Sequence, residues 1–278
     1  MTTTTGIRPL PAGRTLRLGV SRIGYEVTTY FRQGDSVFFT FLFPLLFLTI
    51  FSVAFSAQDF GPPGEELSAA AYYLPGMLAA GLLLSGLQNM AIDIATEKGD
   101  GTLKRFGGTP LPVMSYFIGK IGQVLVTGIL QSALLLVVAR FVFQVELPTD
   151  PAKWVTFAWV FLLGVTTSAV LGIALSALPR TGKSATAVII PIALVLQFIS
   201  GVYLSFTQLP EWLQNFASAF PLKWMAQGMR EVFLPASFEL LEQNESWNLP
   251  GVAIACGLWL VVGLIVCRVT FRWIRKDS

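Results

Sequence analysis

Apolar positions along the chain gather into six long blocks that no charged residue interrupts, with polar stretches between them. The blocks lie between Asp35 and Asp59, Glu66 and Asp93, Lys120 and Arg140, Lys153 and Arg180, Lys183 and Glu211, and Glu245 and Arg268, and their uncharged lengths are 23, 26, 19, 26, 27 and 22 residues. A helix rising about 1.5 Å per residue crosses roughly 30 Å of hydrocarbon in about 20 residues. Each block is long enough to span. The pattern therefore predicts an all-α integral membrane protein with six transmembrane helices.

Three stretches outside the blocks carry their own periodicity. From Arg14 to Gln33 the chain is too polar to cross, yet Leu16, Val20, Ile23, Val27 and Tyr30 fall on one helical face, with Arg17, Ser21, Gly24 and Thr28 off it. This predicts an amphipathic helix lying along a membrane surface. In Glu97 to Pro110, Asp100 or Thr102 can cap a short helix, Leu103 and Phe106 share a face, and Gly107, Gly108 and Pro110 end it. The expectation is a small knob with an apolar tip ringed by charge. After the fifth block, Leu209, Trp212, Leu213, Phe216 and Phe220 form a stripe about three turns long, broken by prolines. A pair of short helices, re-entrant or at the outer interface, fits this stretch, and Trp212 and Trp224 suit that depth.

Composition agrees, since 54% of residues are hydrophobic and 13% charged, against about 25% charged in a soluble domain. With six spans both termini lie on one side. Arg8, Arg14, Arg17, Arg22, Arg32, Lys98, Lys104, Arg105, Lys120, Arg180, Lys183, Arg268, Arg272, Arg275 and Lys276 fall on that side, and only Arg140, Lys153, Lys223 and Arg230 on the other, fifteen against four. The positive-inside bias predicts cytoplasmic termini. The expected organisation is a cytoplasmic N-terminus at 1–36, a transmembrane domain at 37–270 with the knob at 96–112 and an outer segment at 207–249, and a basic tail at 271–278. The first block reads as a retained span rather than a cleaved signal, given the hydrophilic residues before it.

Chemistry is sparse. The chain has no histidine, which removes the commonest general base and metal ligand. Cys256 and Cys267 lie in one apolar run, about 16 Å apart along a helix, too far for a disulfide. Arg180-Thr181-Gly182-Lys183-Ser184 ends like a phosphate-binding loop, but the required first glycine would fall at Ala177. No nucleotide site is expected in this chain. A membrane-embedded enzyme would need a convergent set of groups that the sequence does not offer. An ion-coupled multidrug carrier would need ionisable residues at the midplane, whereas Asp93, Lys120 and Arg140 sit near block ends.

Glu97, Gly101-Thr102-Leu103, Lys104-Arg105, Phe106 and Thr109-Pro110, followed by Tyr116 to Lys120, together resemble the coupling segment of type-2 ABC exporter permeases of the daunorubicin-resistance-like group. Ser200-Gly201, Leu209-Pro210, Trp212-Leu213, Pro221-Leu222 and Gly228 to Arg230 extend the likeness, which covers about residues 15 to 275. Gly99-Asp100 departs from the more charged pair often found there. The resemblance implies a permease subunit of a bacterial plasma membrane, paired with a second permease, identical or related, and with two copies of a separate ATP-binding subunit. ATP and Mg would be held on that partner, with no cofactor in this chain and no nucleic acid. The partner would touch the coupling segment and the N-terminal helix at Arg17, Arg22 and Glu26. The cargo would be a hydrophobic or amphipathic drug, antibiotic or lipid-like molecule. Its path is expected along spans one, two and five, at Ser85, Gln88, Asn89, Gln197 and Ser200, polar groups that otherwise serve as interhelical hydrogen bonds. The phenylalanines of the first block suit such a cargo or lipid alike.

Overall fold

The computed structural model describes residues 11–270 except 63 and 180. Arg8, Arg180, Arg272, Arg275 and Lys276 of the charge pattern, and the basic tail, lie outside the described residues. Among the described residues the chain is helical without a strand. It runs through α1 (Ala12–Phe31), α2 (Gly34–Ala54), α3 (Ala69–Leu83), a π-turn (Leu84–Asn89), α4 (Met90–Gly99), α5 (Thr102–Gly107), α6 (Val113–Phe141), α7 (Pro151–Leu175), α8 (Gly182–Ile199), α9 (Glu211–Ala217), α10 (Pro221–Phe233) and α11 (Leu249–Thr270). Six units are long and apolar enough to cross a membrane: α2, the continuous Ala69–Gly99, α6, α7, α8 and α11.

Span two, Ala69–Gly99, is the axis of the bundle. In its most apolar window 89% of residues are buried, against 17% for α2, 28% for α8 and 22% for α11. Small residues explain the position, because Ala69, Ala70, Ala79 and Ala80 let neighbours close on α3, and a Cβ at Gly76 would lie 2.7 Å from the Val202 carbonyl oxygen. The phenylalanines of α2 divide by height. Phe38 and Phe39 are exposed, while Phe47 and Phe51 pack on Tyr203 and Tyr73 at ring distances of 5.1 and 4.7 Å.

Two helices outrun the blocks that predicted them. Span two continues past Asp93 to Gly99, and α6 begins at Val113, before Lys120. Both charges are paired in one ion cluster, with Lys120 buried and Asp93 half-buried, so they do not mark the end of an apolar helix.

On the apolar face expected for α1, Ile23 and Val27 are half-buried and Tyr30 is buried, while Arg17, Ser21, Gly24 and Thr28 off that face are all exposed. Leu16 and Val20 are 57% and 55% exposed, and the buried positions are Gly19, Glu26 and Tyr30. Glycines set this docking. A Cβ at Gly19 would meet Ile118 at 2.8 Å, while Gly119 and Gly122 of α6 receive Arg22 and Ile23 at 2.8 and 2.5 Å. Arg22 and Glu26 meet the rest of the chain on that side, and Leu16 and Val20 lie on the outer surface.

Candidate functional site

Three pairs of residues four apart converge where α1, α4 and α6 meet: Arg22 with Glu26, Asp93 with Glu97, and Tyr116 with Lys120. Side chains at that spacing share a helical face. Lys120 Nζ lies 2.9 Å from Glu26 Oε2 and 2.6 Å from Glu97 Oε1, and it also pairs with Asp93. Arg22 Nε donates to Glu26 Oε1 at 2.8 Å, and the Tyr116 hydroxyl donates to Glu97 Oε2 at 2.6 Å. Glu26 and Lys120 are 4% and 1% exposed, so the pairs face little screening by water. Glu26, Asp93 and Glu97 each offer a carboxylate oxygen within 4.8 Å of the others, as a metal site would. The Lys120 ammonium contacts all three, and it supplies the positive charge at that point.

The cluster carries the short helix α5 on its back. Gly101 has φ of 82°, a left-handed conformation natural to glycine, and Asp100 Oδ1 accepts from the Thr102 amide at 2.9 Å. The guanidinium of Arg22 lies 4.3 Å from the centre of the Phe106 ring and 5.2 Å from that of Tyr116. Leu103 is only 2% exposed and joins the main core. The expected apolar tip is thus turned inward, because Leu103 and Phe106 reach a hydrophobic and aromatic seat beneath α5. Lys104, Arg105, Gly107, Gly108, Thr109 and Pro110 form the outward surface. Beside it, Gly99 meets the start of α8, where an added Cβ would lie 2.8 Å from the Gly182 amide nitrogen. Thr181 and Ser184 form a reciprocal cap there, so the Gly-Lys-Ser run serves as a helix start.

The five polar residues expected along a path separate into two groups. Ser85, Gln197 and Ser200 are buried inside the chain, at 2%, 0% and 0% exposure. Ser85 donates to Gln131 at 3.2 Å, and Tyr203 donates to Gln197. Gln88 and Asn89 are half-buried. Asn89 Nδ2 donates to Thr40 Oγ1 at 2.5 Å, and the Tyr30 hydroxyl donates to the same oxygen at 2.6 Å. Burial pushes the Tyr30 phenol up to about 12, so it keeps its proton and remains a donor. Arg17 is exposed on α1, away from the ion cluster that holds Arg22 and Glu26.

A second polar network escaped the sequence reading. In α10, Arg230 binds Glu242 through two nitrogens, one at 2.9 Å, and donates to the Gly201 carbonyl at 3.1 Å. Lys223 donates to Gln227 at 2.5 Å, and Gln227 donates to the Ser246 carbonyl at 2.7 Å. The spacing of 223, 227 and 230 was a polar helical stripe. It was legible as such, had the proline-flanked segment been expected to lie inside the bundle.

Six apolar helices, the second and third linked by a charge-clasped knob, define a multi-pass membrane protein. The sequence profile of the ABC-2 type transporter family matches residues 23–234, and the chain belongs to that family. It is 26% identical over 236 residues to a protein of Cyanophora paradoxa named as a transport permease, ycf38, covering 84% of this chain and 79% of the relative. It is 20% identical over 186 residues to YbhR of Escherichia coli K12, named as a multidrug ABC transporter permease, covering 67% of this chain and 50% of the relative. The chain thus spans about half the length of that relative. Family membership makes it the membrane permease of an ABC transporter and implies an ATP-binding partner subunit.

Proposed function

We propose that the chain exports a hydrophobic or amphipathic molecule across a plasma membrane, driven by ATP that a separate subunit hydrolyses. In this reading the face bearing α5 is cytoplasmic, and two permease copies or related chains pair with two ATP-binding subunits. The observation that carries it is the ion cluster. Lys120 and its three carboxylates tie α1, α4 and α6 into one unit directly under α5, so a force on the outward surface of α5 reaches two spans at once. Docking falls to Lys104, Arg105 and Gly107 to Pro110 rather than to Leu103, with Arg17 of α1 alongside. The name of the Escherichia coli relative supports a drug-like cargo, and the exposed phenylalanines of α2 suit one. Gln88 and Asn89 are the path residues of this reading, since they alone of the five reach half-exposed positions.

Co-purification with the ATP-binding partner subunit tests the proposal. Lys104→Glu with Arg105→Glu should lower the co-purified fraction and the cargo-stimulated ATPase at least tenfold, while the permease stays folded. Undiminished association would remove α5 from the interface. Transport sustained by a proton gradient without ATP would overturn the exporter reading in favour of an ion-coupled carrier.

A further inference from the structure

Span two is not one continuous α-helix. Leu84–Asn89 is wound as a π-turn between α3 and α4. A π-turn accommodates one residue more than an α-helix along the same path, and such turns concentrate at functional sites. Downstream of this one stand Asp93, Glu97 and then α5, so the winding of these six residues sets which side chains of α4 face Lys120.

Polar contacts hold the turn on two sides, and small residues pack against a third. Asn89 is held by Thr40 of α2, which in turn accepts from Tyr30 of α1. Ser85 is held by Gln131 of α6, whose Nε2 is buried and has no acceptor among the described residues. Against α7 the contact is made by small residues. A Cβ at Gly86 would lie 2.5 Å from Ser168 Cβ, and one at Gly172 would lie 2.3 Å from the Gly86 carbonyl oxygen. The large side chains of the turn, Leu84 and Leu87, are buried, Leu87 in the main core, so a change of winding repacks them.

We propose that Leu84–Asn89 is a register joint with two windings, and that Tyr30, Thr40 and Asn89 are positioning residues that favour the π form. If the same residues rewind as α-helix, everything downstream advances by one position, about 1.5 Å along and about 100° around the axis. Ile92 and Thr96 then stand where Asp93 and Glu97 stood. Lys120 keeps Glu26 and loses its two partners on α4. Asn89 leaves Thr40 in the same movement, so the ion cluster and the joint switch together between discrete arrangements. The joint is a property of this chain alone. Its use in transport rests on the reading that the partner subunit moves α5.

Spin-label distance measurements on the purified full chain, without any ATP-binding subunit, test it. Nitroxides are placed at Lys98→Cys on α4 and Met114→Cys on α6, both exposed, in a Cys256→Ala, Cys267→Ala background. One distance is expected in that background. Asp93→Asn with Glu97→Gln should add a second population displaced by several ångströms, and so should Asn89→Ala or Thr40→Val, with Thr40→Ser restoring the single distance. Deleting Gln88 removes the extra residue, so the turn closes as α-helix with both flanks in place, and the second population should vanish from the neutralised chain. A single unshifted distance in the neutralised, Asn89→Ala and Thr40→Val chains overturns the joint, whether or not the deletion folds. A second population that survives the deletion in a chain of native helix content overturns it as well.

Discussion

The guanidinium of Arg22 lies 4.3 Å from the centre of the Phe106 ring, so a helix that precedes the first span is stacked on the one that links the second and third. Arg22 also holds Glu26, which reaches Lys120. One arginine therefore joins the aromatic seat of α5 to the ion cluster beneath it.

That stacking should be measurable as a coupling. Arg22→Ala and Phe106→Ala, alone and together, should show a positive interaction energy of about 0.5–2 kcal/mol in a double-mutant cycle on unfolding in detergent. Additive effects would mean that the guanidinium and the ring merely pass close.

Removal of the Lys120 charge is expected to be the most disruptive change at the cluster. Lys120→Met leaves Glu26, Asp93 and Glu97 facing one another with a lone arginine, which costs about 3–5 kcal/mol by analogy with other broken buried pairs. Lys120→Met combined with Glu26→Gln and Asp93→Asn should recover most of the loss in a thermal-shift assay.

Glycine positions offer a paired test of packing. A Cβ at Gly172 would lie 2.3 Å from the Gly86 carbonyl oxygen, a backbone atom, whereas Gly257 has nothing within 4 Å. Gly172→Ala should lower stability by about 1–3 kcal/mol through overpacking. Gly257→Ala in α11 should be neutral or stabilise by up to about 1 kcal/mol.

Sidedness follows from cysteine labelling in intact cells. With the native cysteines replaced by alanine, a membrane-impermeant maleimide should modify Gln58→Cys, between α2 and α3, and leave Lys104→Cys unmodified until the cells are opened. The reverse pattern would invert the orientation that the arginine and lysine bias predicts.

Much of the span architecture was written in the charge gaps, because a lone charge in hydrocarbon is costly. The same rule cut span two and α6 short. Asp93 and Lys120 neutralise each other inside the bundle, and a one-dimensional pattern does not show which charges will meet. On α1 the periodicity marked an apolar face but not how it divides: Tyr30 packs into the chain, whereas Leu16 and Val20 stay exposed, and no pattern of apolar residues announces that Glu26 is buried beside them. Leu103 and Phe106 were correctly placed on one face of α5, but periodicity alone does not say whether that face turns to a partner or to the chain's own core. The π-turn left no mark, since Leu84 to Asn89 has no proline or charge to betray it.

The contact between Gly99 and Gly182 sets backbone directly against backbone, with an added Cβ falling 2.8 Å from the amide nitrogen. Any Cβ added at Gly99 would meet the backbone of Gly182 rather than a side chain that could change rotamer. The loop after span two and the first turn of span five therefore meet at a place too narrow to hold a methyl group, and a side chain larger than hydrogen at Gly99 would push the two apart.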